Sequence, residues 1–121
     1  MMYTGMAVAV GNNVELPCNT SLTPESDVMW TYGTDDGYVD YIYWNGRLDA
    51  ANSRLSIKTT VESFYSLVLD DAQLTDSGLY DCYVGVNRVG YLLNVTGKPL
   101  CNSIFQLIQL YMCALCIVYL P

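Results

Sequence analysis

Histidine is absent from the 121 residues. Without it there is no Ser-His or Cys-His nucleophile pair and no imidazole metal site. Acid–base chemistry by paired carboxylates is what remains, and Asp35/Asp36 and Asp70/Asp71 are its visible candidates. Adjacent residues on an extended chain point to opposite faces, so both pairs read as solvated loop charges. No enzyme, cofactor or metal is expected. Cations are scarce too, with 5 Lys+Arg against 12 Asp+Glu and a formal net charge of −7. A surface this acidic repels phosphate backbones, which argues against nucleic acid as a partner. Also missing is any convincing stripe at helical period, and no charge of either sign follows residue 100.

What the chain does contain is apolar residues, 52% of the total, enough for one domain with one core. They come in short alternating runs separated by turn signals, the pattern of an all-β sandwich or barrel. Met6 to Val10 ends at Gly11-Asn12-Asn13. Val14, Leu16 and Cys18 then share a face by the two-residue period, as do Val28, Trp30 and Tyr32. Val39 to Trp44 is a Tyr-rich strand closed by Asn45-Gly46, the dipeptide that favours a type I′ hairpin turn. Further inward sets are Leu55/Ile57, Tyr65/Leu67/Leu69, Tyr80/Cys82/Val84 and Tyr91/Leu93/Val95.

Cys18 and Cys82 both fall on inward faces, which suits a bridge between two stacked sheets. Two buried free thiols would satisfy the same spacing. The surrounding residues separate the two readings. Trp30 lies twelve residues after Cys18, and Tyr80 lies two before Cys82. The run Asp76-Ser77-Gly78-Leu79-Tyr80-Asp81-Cys82 carries Asp-x-Gly-x-Tyr-x-Cys in full. Over about residues 6–96 the chain resembles the immunoglobulin superfamily. The resemblance implies a Cys18–Cys82 disulfide with Trp30 packed on it and a Tyr80 hydroxyl bonded back to the corner backbone. It also implies an Arg54–Asp76 ion pair. Between Trp30 and Arg54 lie 23 residues, room for the C′ and C″ strands of a variable-type sheet. The expected fold is therefore a two-sheet antiparallel immunoglobulin sandwich of V type over residues 1–97, followed by an apolar C-terminal tail.

The Gly-x-Gly of a rearranged joining segment does not follow Cys82, so an antigen receptor is not expected. Val14 to Cys18, Ser26 to Trp30, Tyr43 to Arg47 and Tyr65 to Gly78 resemble the butyrophilin-like and costimulatory-ligand group. That resemblance implies a surface protein that binds a lymphocyte receptor and modulates its signalling. Asn19-Thr20-Ser21 and Asn94-Val95-Thr96 are N-glycosylation acceptor sequences, and alternation turns both asparagines outward. A partner would meet the sheet built from strands G, F, C and C′. Alternation places Met29, Tyr83 and Leu92 on its outer face, with Tyr41 and Tyr43 together on one face of C′.

The first residues lack the basic start and long apolar core of a signal peptide, so the expectation is an incomplete sequence of a protein at the extracellular side of the plasma membrane. Residues 98–103 read as a short linker. Residues 104–120 are uncharged, and 17 residues is the short limit for a membrane span. A second reading of this tail is translated intron, because Gly97-Lys98 is what a splice donor at the end of such a domain would encode. In the tail, Cys101 could crosslink two chains, and Cys113 and Cys116 suit palmitoylation or apolar filler. Recognition of another cell-surface protein, self-association in homophilic adhesion, and a small secreted carboxylate enzyme or antimicrobial factor are the functional readings, in falling order.

Overall fold

The alternating runs become nine strands in a computed structural model, which describes residues 3–19, 28–44, 46–48, 52–59 and 65–97. In chain order these are β1 (Tyr3–Ala9), β2 (Val14–Leu16), β3 (Val28–Gly33), β4 (Val39–Trp44), β5 (Arg47–Leu48), β6 (Leu55–Lys58), β7 (Ser66–Leu69), β8 (Gly78–Val84) and β9 (Asn87–Thr96). Six of them form one sheet in the order β1-β9-β8-β3-β4-β5, and β2-β7-β6 form the other. The ladders are antiparallel except β1 on β9, which runs parallel from Tyr3↔Gly90 to Ala9↔Thr96. The linker and tail, residues 98–121, lie outside the described residues, as do Ser21 and Asn45. Among the described residues no helix is long and apolar enough to cross a membrane.

Alternate residues of the strands point inward, and the core is what those residues make together. Leu16, Cys18, Val28, Trp30, Leu67, Leu69, Tyr80, Cys82 and Leu93 are all at most 2% exposed. Cys18 and Cys82 are joined across the two sheets, with Cα atoms 6.4 Å apart. Trp30 is the direct cross-strand partner of Cys82, and its indole N–H donates to the Tyr65 carbonyl at 2.8 Å, so the largest core side chain leaves no polar atom unpaired.

The turn before β8 is pinned by side chains. Arg54 meets Asp76 through two nitrogens, at 2.6 and 2.9 Å, while Asn52 Nδ2 and the Gln73 N–H donate to the same carboxylate. The Tyr80 hydroxyl donates to the Asp76 carbonyl at 2.6 Å, and burial, then the Asp76 charge, push its phenol pKa up. Gly78 has φ 154°, and a Cβ there would lie 2.6 Å from the Tyr32 ring and 2.8 Å from the Gly33 carbonyl. Only glycine lets β3 and β8 approach so closely at this corner. Tyr32 uses the space and donates its hydroxyl to the Ser77 carbonyl at 2.8 Å.

One strand breaks the two-residue rule. On the β3–β4 ladder Trp30 pairs with Tyr43 but Thr31 pairs with Tyr41, so Ile42 is an extra residue. Such a bulge sets two residues against one and shifts the phase of the strand beyond it. Ile42 and Tyr43 consequently both point inward, at 3% and 4% exposure. Tyr43 therefore does not share a face with Tyr41, and the expectation that it lies on the partner surface is corrected.

Candidate partner-binding face

With the bulge in place, the strand registers stack the outer side chains of the six-stranded sheet in rows. The first runs Arg88, Tyr83, Met29, Trp44, Arg47 from β9 to β5. The second runs Tyr3, Gly90, Asp81, Thr31, Tyr41, and the third runs Gly5, Leu92, Leu79, Gly33, Val39. Of the expected partner residues, Met29, Tyr83, Tyr41 and Leu92 are thus brought onto one face. Tyr41 is 56% exposed and Leu92 48%, whereas Met29 and Tyr83 are half-buried. Alternation alone missed Trp44, 59% exposed, and Val39, because the phase of β4 cannot be read without the bulge.

The middle of the face is polar and closed. Asp81 points outward by register yet is 7% exposed, because two neighbours cover it. Arg88 Nε donates to its carboxylate at 2.7 Å and the Tyr3 hydroxyl donates at 3.2 Å. The guanidinium also hydrogen-bonds the Tyr3 hydroxyl and lies over the rings of Tyr3 and Tyr83, 5.1 and 5.7 Å from their centroids. Burial, followed by the Asp81 charge, raises the Tyr3 phenol above its ordinary pKa. Room for this arrangement comes from Gly90, where a Cβ would stand 2.6 Å from the Tyr3 ring and 2.8 Å from Asp81. Sequence reasoning missed it because it depends on the Tyr3↔Gly90 register of β1 against β9, which no local pattern displays.

Beside this plug lies a depression of about 310 Å³. Tyr38, Val39 and Tyr41 form one wall and Tyr3, Tyr83 and Arg88 the other, over a floor that includes Thr31 and Gly33. The β3–β4 turn that borders it carries Asp35 and Asp36, and Asp36 accepts hydrogen bonds from the Thr34 hydroxyl and the Tyr38 N–H. At the other end of β8, Gly85-Val86 makes a two-residue hairpin with Gly85 at φ 58° and Val86 fully exposed. Asn19 and Asn94 are both exposed, and Asn94 sits on this same outer face, on β9 opposite Ala7 of β1. Among the described residues no group of three His, Cys, Asp or Glu side chains is placed to hold a metal ion.

Residues 3–97 match the immunoglobulin V-set domain family. The chain belongs to it. In V-set terms β1 is the A′ strand, β2-β7-β6 the B-E-D sheet, and β9-β8-β3-β4-β5 the G-F-C-C′-C″ sheet. Solved structures share the fold at low identity. An extracellular-domain structure of the voltage-gated sodium channel beta4 subunit is 22% identical with a TM-score of 0.63, over 79% of this chain and 87% of that one. The ZIG-8–RIG-5 IG1–IG1 heterodimer gives 20% identity and 0.58 over 78% and 82%. The ZIG-8 IG1 homodimer gives 20% and 0.57 over 77% and 78%. No curated protein matches the sequence significantly.

Proposed function

We propose that this V-set domain is the extracellular recognition module of an immune-type surface receptor or ligand. It acts by docking the outer face of its six-stranded sheet onto an immunoglobulin-type domain of another surface protein, without catalysis. The observation that carries the reading is the strip of Val39, Tyr41 and Trp44, each more than half exposed, beside half-buried Met29 and Tyr83. Aromatic side chains so concentrated on one sheet face are the composition of an interface core. The similar structures support it, being a homodimer tied to cell–cell adhesion and a heterodimer and a homodimer of such domains. The lymphocyte partner and its signalling rest on the segments that resemble the costimulatory-ligand group.

Cells displaying the full chain should form conjugates with partner-bearing cells. Trp44→Ser with Tyr41→Ser should weaken that binding by about thirtyfold, the effect of losing one hot spot worth about 2 kcal/mol. Conjugate formation unchanged by the pair, at equal surface display, would remove this face from the proposal.

N-glycans on Asn19 and Asn94 belong to the same reading. Both side chains are exposed, and the sugar on Asn94 would cover the β1–β9 side of the face while leaving β3 and β4 free. Peptide mapping after enzymatic deglycosylation in heavy-oxygen water should show both asparagines converted to labelled aspartate. An unlabelled Asn94 would open the whole face to a wider partner.

A further inference from the structure

We infer that the opposing domain is a second copy of this chain, packed face to face with its strands antiparallel to the first. The inference rests on the docking face proposed above and adds the partner and its orientation. The reason is that the face is complementary to itself in only one of the two simple two-fold arrangements.

Consider the charges along β4. At one end the first row terminates in Arg47, exposed and without an ion-pair partner among the described residues, while the other cations described there are committed: Arg54 to Asp76, Lys58 to Glu15 and Arg88 to Asp81. At the other end stands the β3–β4 turn with Asp35 and Asp36, again with no cation in reach among the described residues. A two-fold axis parallel to the strands would lay turn on turn, four carboxylates together, and Arg47 toward the same end as its copy. Turning the axis across the strands brings Arg47 of each copy to the end of the face where the other carries its acidic turn, within reach of a long side chain. Like charges are separated by the length of the face and unlike charges meet twice.

Shape agrees with charge. The exposed Trp44 ridge lies in the first row, and the depression reaches the third row, where Val39, Gly33 and Leu79 line it and Gly33 has no side chain. Antiparallel packing sets each Trp44 over the Val39–Gly33 row of its mate, and Tyr41 meets Tyr41 near the axis. Asn94, on β9, stays outside this β3–β4 footprint.

A charge-swap cycle on the full chain in mild detergent, with free thiols alkylated, tests it. Wild type should sediment as a dimer. Arg47→Asp alone and Asp35→Arg alone should each raise the dimer dissociation constant by about tenfold or more, as misplaced rim charges do. An equimolar mixture of the two variants should dimerise again, because each contact then pairs Asp with Arg, and that recovery also shows both variants to be folded. A monomeric wild type at 100-fold the concentration of its surface display, or a mixture no tighter than its parents, overturns the inference. If Trp44→Ser with Tyr41→Ser still weakens cell conjugates while wild type stays monomeric, the recognition role stands and only self-pairing falls.

Discussion

Replacing Cys18 and Cys82 together by alanine should cost roughly 4 kcal/mol, the loop-closure entropy that a crosslink across some 65 residues removes from the unfolded chain. Against a total stability of about 5–15 kcal/mol for an ordinary domain, that leaves little. The melting temperature should drop by about 20 °C, following the usual conversion for a domain near 100 residues. The bridge is fully buried, at 1% and 0% exposure, so the same loss should follow reductant only after the domain opens. Thermal and urea melts of oxidised, reduced and doubly substituted protein check this. A double variant that melts with the oxidised wild type would mean that the core alone carries the fold, and peptide mapping under oxidising conditions should find the two sulfurs joined.

Asp76→Ala should cost about 3 kcal/mol, near the low end for removing one partner of a buried ion pair. The low end applies because Arg54 is 28% exposed, so water partly rescues the stranded guanidinium, while Asp76 itself is only 6% exposed. The carboxylate also receives Asn52 and the Gln73 N–H and so holds the turn that presents Tyr80, which keeps the loss from falling below that range. Arg54→Met on top of Asp76→Ala should cost less than the sum of the single changes, because no unpaired charge is then left behind. Urea denaturation of the four proteins measures that coupling. Strict additivity would show that the two groups act independently.

How far the sequence could be read depends on whether each feature is local. The inward sets around Cys18, Trp30, Leu67 and Tyr80 are legible because an unbroken strand alternates and one buried face fixes its register. The corner from Asp76 to Cys82 is legible for the same reason, as its contacts repeat a short motif. Tyr43 was misplaced because a bulge depends on how β4 meets β3, and nothing in Tyr41-Ile42-Tyr43-Trp44 marks Ile42 as the extra residue. Alternation with Tyr80 and Cys82 turns Asp81 outward, but its burial depends on Tyr3 and Arg88, 78 residues and 7 residues away along the chain. Burial of an outward residue is a property of its neighbours' side chains, and alternation says nothing of those.

The parallel course of β1 on β9 has a mechanical meaning. Tyr3 lies near the β8–β9 hairpin, whereas Thr96 lies at the opposite pole of the sandwich. Tension applied between a bound N-terminal end and a tethered C-terminal end would drag the two strands past each other lengthwise. Their hydrogen bonds cross the pulling direction and would have to yield together, where a hairpin pulled open yields one rung at a time. A domain held at both poles would thus bear load in shear, the geometry suited to a link between surfaces that move apart.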